Sequence, residues 1–305
     1  MPHARDDAGT PHPPDDGGRV ALVFGASGQI GMPLLRRLAD TGWQVLAVSR
    51  GRRPPQPGVR WLRGEFARMP GLPPRVDAIL SCGPSDAFAH WYARGGVDSP
   101  RVVMFGSTSV EVKRDSMDGA ERDIARRLAE AERLLFETAA LRGAAATVLR
   151  PTLVYGAGRD ANVTRIAQLA RRLRAFALPS DATGLRQPVH VEDLAAAAVA
   201  CLGAPATHGH AYAVPGGETL AYREMVSRVL AALRPSPRLF VLPPALFRAL
   251  LSMARACGIA RDFNDAALAR MRVDLVFDAG PARRDFGYAP RGFAPTEEEL
   301  TPPAG

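Results

Sequence analysis

Apolar runs and helically spaced apolar positions alternate along the first half of the chain. Val20 to Phe24 is a short apolar run suited to a buried parallel strand, and from Ile30 the apolar residues fall at helical spacing through Leu34, Leu35 and Leu38. WQVLAVSR (43–50) predicts a second strand and Val59 to Phe66 a third, after the loop GRRPPQPG. RVDAILSCGP (75–84) and RVVMFGSTS (101–109) are two more apolar runs, each ending in small residues. Ile124, Leu128, Ala131, Leu134, Leu135 and Leu141 mark a helix over 120–142, and ATVLRPTLVYG (146–156) is a sixth strand. Strands alternating with helices predict an α/β fold, a Rossmann-type doubly wound parallel sheet. Such sheets bind ligands at the carboxyl ends of their strands, near the point where strand order reverses.

After residue 156 the rhythm changes. NVTRIAQLARRLRAF (162–176) reads as an amphipathic helix, VHVEDLAAAAVACLG (189–203) as a short strand and helix, and AYAVPGG (211–217) as a strand feeding a turn. YREMVSRVLAAL (222–233) and PPALFRALLSMARACG (243–258) add two helices. The expected organisation is a leader over 1–18, a Rossmann domain over 19–160 plus about 189–215, and a smaller, helix-rich C-terminal lobe over about 161–188 and 216–300. The Pro-, Gly- and Asp-rich leader has no apolar core of a signal peptide and reads as disordered. Asp193, just inside the second of these helices, is expected to cap it.

Charge and cysteine content narrow the class. The formal charge of +8 would admit nucleic acid, but its arginines are scattered and Lys113 is the single lysine among 39 basic residues. That pattern argues for anionic small molecules and against nucleic acid. Cys82, Cys201 and Cys257 have no metal-ligand spacing and their odd number argues against a disulfide framework, so no metal is expected and a cytoplasmic location is. No apolar run reaches the roughly 18 residues of a membrane span. Arg248 and Arg255 interrupt the nearest candidate, which argues against membrane contact.

Gly25-Ala-Ser-Gly28-Gln-Ile-Gly31 joins the first strand to the first helix. Three glycines there let a pyrophosphate approach the backbone, at a helix N-terminus whose free N–H groups and dipole favour anions. An acidic residue at the end of the second strand would select NAD through the ribose 2′-hydroxyl. Ser49-Arg50-Gly-Arg52-Arg53 stands there instead, and guanidinium groups suit a 2′-phosphate. NADP(H) is therefore favoured, with NAD(H) as the alternative. The candidate cofactor groove comprises Gly25, Ser27, Gly28, Gln29, Ile30, Gly31, Ser49, Arg50, Arg53, Glu65, Phe66, Cys82, Gly83 and Pro151.

GASGQIG, FGSTSV, LRPTLVYG (149–156), GLRQPVHVEDLA (184–195) and DLVFDAGPARRDFGYAPRGF (274–293) together resemble the NAD-dependent epimerase/dehydratase family of extended or atypical short-chain dehydrogenases/reductases, over about residues 19–300. The resemblance implies an oxidoreductase or epimerase acting on a small-molecule substrate, a nucleotide sugar or similar anion, and a homodimer. It also implies a Ser/Thr and a Tyr-x-x-x-Lys pair around the substrate carbonyl. Thr108 matches the Ser/Thr position, with Ser107 beside it. Registered on AEAERLL, the helix places Ile124 and Leu128 where Tyr and Lys should stand, and no tyrosine lies between Tyr92 and Tyr155. The pair is absent. Lys113 and Tyr155 are the candidate substitutes as proton donors, and Thr108 the candidate hydrogen-bond donor to substrate. By the same resemblance Arg186 would grip a diphosphate, with Arg270 or Arg272, either side of Met271, as the second arginine. A catalytically silent NADP(H)-binding sensor or accessory protein is the alternative that the missing pair raises.

Overall fold

Six strands of the first half pair in parallel within the segments expected as strands: β1 (Val20–Phe24), β2 (Gln44–Ser49), β3 (Val59–Arg63), β4 (Ala78–Ser81), β5 (Arg101–Phe105) and β6 (Ala145–Pro151). This computed structural model describes residues 18–69, 71–256 and 265–303. The expected leader, apart from Gly18, and Cys257 lie outside the described residues. A seventh strand, His210–Val214, pairs in parallel with β6, and the sheet runs from it through β6, β5, β4, β1 and β2 to β3. Strand order therefore reverses between β1 and β4. Pairing of Phe24 with Ser81 and of Ser49 with Arg63 brings the carboxyl ends level at that edge.

Helices α1 (Gly31–Asp40), α2 (Ser85–Arg94) and α4 (Gly119–Leu141) follow β1, β4 and β5, with the short α3 (Ser109–Val112) between β5 and α4. On one face, Leu34, Leu35 and Leu38 of α1 join Leu194, Ala198 and Cys201 of the helix Val191–Leu202 over Val23 and Leu80. On the other, Phe88 and Trp91 of α2 meet Leu135 and Ala139 of α4 over Phe24, Ile79 and Met104. Both faces of the sheet's interior are covered, which is why its inner strands read as continuous apolar runs rather than alternations, unlike the edge strand β3. A third cluster, from Tyr155 and Val163 to Phe293 and Leu300, is built beside the sheet from helices Val163–Leu173, Tyr222–Ala232 and Pro244–Ala256.

Several boundaries differ from the sequence reading. The run expected as one strand over 146–156 is split, because β6 ends at Pro151, which has no N–H to extend the ladder. Val154–Tyr155 pairs instead with Val189–His190. The helix expected through Phe176 stops at Leu173, where Arg174 turns left-handed at φ 57° and Ala175–Pro179 pairs in parallel with Arg238–Leu242. That partner lies 63 residues away, beyond the reach of local periodicity. Asp193 does not cap its helix. His190 does, its Nδ1 accepting from Glu192 N–H at 3.1 Å, while Asp193 holds Arg291 at 2.9 Å. In helix Pro244–Ala256, Phe247 and Leu251 are buried while Leu246, Leu250 and Met253 are exposed. No helix among the described residues is long and apolar enough to cross a membrane.

Candidate functional site

The glycine turn sits at the strand-order reversal, and its three glycines are needed for different reasons. Gly25 has φ +64°, and a Cβ there would stand 2.6 Å from the Cys82 carbonyl carbon and the Gly83 nitrogen. A Cβ on Gly31 would stand 2.3 Å from the Gly25 carbonyl oxygen. These two permit the chain to pack against itself. A Cβ on Gly28 would touch only the Gly25 carbonyl oxygen, at 3.0 Å, and otherwise faces open space. The protein leaves the approach to this turn clear, directly before α1. Gln29 Oε1 and Ser81 Oγ, two buried polar atoms at the same edge, have no hydrogen-bond partner among the described residues. An open glycine and a helix N-terminus at one strand-end crevice fit a dinucleotide's pyrophosphate, whose oxygens accept; the Ser81 hydroxyl can donate there, whereas Gln29 Oε1 is itself an acceptor.

Ser27, Ser49 and Arg53 form a short chain leading from the turn: Ser49 Oγ donates to Ser27 Oγ at 3.3 Å, and Arg53 Nε reaches Ser49 Oγ at 3.5 Å. Arg50 instead lines a cavity of about 600 Å³ with Glu65 and with two arginines that sequence reasoning passed over, Arg63 and Arg68. The third strand ends at Arg63 rather than continuing to Phe66, and Glu65 and Arg68 close a tight turn by mutual backbone bonds of 3.1 and 2.9 Å. Phe66 stacks on Phe24 with ring centroids 5.2 Å apart and stands beside Gly83. Ile30 is buried at the start of α1. Burial pushes the Cys82 thiol up to about 12, which makes it a poor nucleophile at neutral pH.

A second cavity, of about 330 Å³, lies at the ends of β5 and β6. It brings together Ser107, Thr108, Lys113, Arg186 and Arg270, five of the residues singled out in the sequence, and adds Tyr222. Among the described residues no carboxylate lines it. Glu121, in the first turn of α4, accepts Ser116 Oγ–H at 2.8 Å, bonds Arg270, and lies 3.7 Å from Lys113 Nζ. One buried carboxylate thus serves two cations. Arg186 is 4% exposed and donates to the Leu185 and Val273 carbonyls at 2.6 and 2.9 Å and to the Arg270 carbonyl. Its guanidinium lies 5.2 Å from the Tyr222 ring centroid. Burial pulls Arg186 below its usual range, and Tyr222 is pushed up to about 12 by burial, so the phenol stays protonated at neutral pH. Among the described residues the Arg186 guanidinium bonds carbonyls and faces a ring, with the Asp274 carboxylate acting on it without a direct bond, so an anion placed beside it is favoured.

The two hydroxyls at the end of β5 differ. Thr108 Oγ1 donates to the Pro151 carbonyl at 3.1 Å, so its proton is engaged and its lone pairs remain. Ser107 Oγ accepts from Ser109 N–H at 3.1 Å, and its own proton has no acceptor among the described residues. The donor position expected of Thr108 is better met by Ser107. Tyr155 is not on the cavity wall: it is 1% exposed, packed edge-on against His190 and Phe293, and burial pushes it up to about 12. Arg272 also stands apart, bonded to Asp181 at 2.8 Å, and Met271 takes the place on the wall. Ile124 and Leu128 line a neighbouring cavity of about 380 Å³ with Gly83, Phe105 and Gly106. The positions registered as Tyr and Lys therefore do face the strand-end groove, and they present only hydrocarbon to it.

Residues 123–214 match the model of the NAD dependent epimerase/dehydratase family. The chain is 26% identical over 318 residues to a 2-alkyl-3-oxoalkanoate reductase of Stenotrophomonas maltophilia, covering 88% of this chain and 94% of that protein. It is also 26% identical over 276 residues to the mitochondrial NADH dehydrogenase [ubiquinone] 1 alpha subcomplex subunit 9 of Arabidopsis thaliana, covering 81% of this chain and 64% of that protein. Among solved structures, MoeE5 in complex with UDP-glucuronic acid and NAD superposes with a TM-score of 0.64 at 19% identity, over 93% of this chain and 96% of that one.

Proposed function

For a chain that resembles the NAD-dependent epimerase/dehydratase family in sequence and in fold, we propose an NADP(H)-dependent oxidoreductase or epimerase whose substrate carries a carbonyl or hydroxyl next to an anionic group, a nucleotide sugar or a similar anion. The observation that carries this reading is the cavity at the ends of β5 and β6, with Lys113, Arg186 and Arg270 on its wall and no carboxylate there among the described residues. The dinucleotide would lie along the glycine turn and the ends of β1 and β4, with Gly25, Gly28, Gln29, Gly31 and Gly83 at its backbone. Bound there, it supplies or accepts hydride. Arg50 and Arg53, joined by Arg63 and Arg68, favour a ribose 2′-phosphate over a free hydroxyl.

The chain's own groups have divided tasks in this reading. Arg186 and Arg270 hold the anion, and the cavity's apolar residues Leu153, Met271 and Phe277 exclude water around it. Ser107 donates its unengaged proton to the reacting oxygen, and Thr108, whose own proton is held by the Pro151 carbonyl, can accept from that oxygen when it is a hydroxyl. Lys113, the one lysine in the chain, lines the same cavity as Ser107, lies 3.7 Å from Glu121, and is the group assigned to supply the proton. A positioned general acid is worth about 10²–10⁴ in rate, so some such group must stand in for the absent tyrosine if turnover is to be useful.

Affinities for NADPH and NADH by cofactor fluorescence, with a turnover screen over UDP-sugars and 3-oxo acids, test the proposal. NADPH should bind at least about tenfold tighter than NADH, a difference of about 1.4 kcal/mol. Arg186→Ala should raise the substrate KM at least about tenfold with NADPH affinity unchanged. Equal affinities would remove the 2′-phosphate reading. Tight NADPH binding without turnover of anything would favour the silent cofactor-binding protein, the reading to which the hydrocarbon at Ile124 and Leu128 lends support.

A further inference from the structure

The glycine turn contains no cationic side chain of its own, yet a dinucleotide brings a diphosphate with two negative charges to it. Arg159 supplies one from elsewhere in the chain. Its Nη1 crosses to the turn and donates to the Ser27 carbonyl at 3.0 Å, linking residues 132 positions apart. Gly28, Gln29 and Arg159 line the same cavity, of about 550 Å³.

The backbone on either side of Arg159 is fixed. Gly158 is left-handed at φ +62°, its N–H donates to the Glu299 carbonyl at 2.8 Å, and a Cβ on it would stand 2.0 Å from the Thr301 carbonyl oxygen. Asp160 is 8% exposed and accepts from Asn162 N–H at 3.0 Å and Thr164 N–H at 3.1 Å, opening the helix Val163–Leu173. Arg159 is the exposed residue between these two anchors. It forms no ion pair among the described residues. Of the carboxylates lining its cavity, Glu192 is held by Arg36 and Arg37 and Glu299 by His190, leaving Glu298. A guanidinium held over the turn by a rigid loop, with a carbonyl as its partner, is placed to exchange that neutral acceptor for a charged one at little conformational cost.

We propose that Arg159 binds the cofactor's diphosphate, its guanidinium passing from the Ser27 carbonyl to a phosphate oxygen when the dinucleotide enters. This rests on the dinucleotide reading but not on NADP over NAD, because the diphosphate is common to both. Arg159 is a binding residue with no part in the chemical step.

Fluorescence titration of the full chain with NADPH and with NADH, for wild type, Arg159→Ala and Arg159→Lys, separates the outcomes. Arg159→Ala should weaken both cofactors by the same factor, about tenfold, with the melting temperature of the cofactor-free protein unchanged. Arg159→Lys should recover part of the loss. Raising salt from 50 to 300 mM should weaken wild type more than Arg159→Ala, because one fewer cation is left to screen. Unchanged affinities in Arg159→Ala would overturn the assignment. So would a loss confined to NADPH, which would move the contact to the 2′-phosphate. If wild type bound neither cofactor, the dinucleotide reading itself would fall and this assignment with it.

Discussion

At the scale of single residues, the glycine turn shows how differently three identical side chains can be constrained. Gly31→Ala drives a Cβ into backbone oxygens of residues 25 and 26 that cannot move without breaking the turn. It should cost about 3 kcal/mol or more, toward the upper end of overpacking effects, and lower the urea midpoint accordingly. Gly28→Ala, with one tight contact and open space beyond, should cost under about 1 kcal/mol while weakening NADPH binding at least about tenfold. Equal stability losses at the two positions would contradict this division. The motif was legible in the sequence because a turn with a strand before it and a helix after it is a local event. Glu121, Tyr222 and Arg159 were not legible. Each acquires its role from a partner about 130 residues away or more, or from a cavity wall contributed by distant segments, and nothing in its own neighbourhood marks it.

At the scale of elements, apolar runs located β1, β2, β4, β5 and β6, since strands buried on both faces leave that signature whatever their partners, whereas the edge strand β3, VRWLR, has no fully buried residue. Their ends were less readable, because Pro151 and Arg174 stop elements through backbone pairing that periodicity does not record. The C-terminal segment is pinned by a charged contact with a pH signature. His190 accepts Glu192 N–H at Nδ1, so its Nε2 carries the proton and donates to Glu299 at 2.9 Å. Burial pushes Glu299 up, but the bonds from His190 and the Thr296 backbone outweigh it and hold the carboxyl below its ordinary 4.5. A carboxyl depressed in the folded state adds stability that is complete above its unfolded value and is lost as pH falls through the folded one. Wild type should therefore lose stability below about pH 4.5, and Glu299→Gln should show a shallower loss there while being less stable at pH 7. Parallel stability–pH curves for the two proteins would show that Glu299 is not responsible.

At the scale of the whole molecule, a seven-stranded parallel sheet places two sites side by side along one edge. The glycine turn and the arginines beyond β2 and β3 form the first, and the cationic cavity beyond β5 and β6 forms the second. On the proposed function, the cations gathered at these two sites meet anionic ligands. It also separates what the missing Tyr-x-x-x-Lys pair affects from what it leaves alone. Ile124 and Leu128 put hydrocarbon where a proton donor was expected but leave the cationic wall, with Ser107 and Lys113 on it, intact. The most direct measurement is deuterium transfer from NADPH labelled at the nicotinamide C4, followed by mass spectrometry over a panel of UDP-linked 4-oxo sugars and 3-oxo acids. The proposed function predicts deuterium in the product of at least one anionic substrate, at a rate reduced at least about tenfold at sub-saturating substrate by Arg186→Ala. Tight NADPH binding with no label transferred to any acceptor would contradict it.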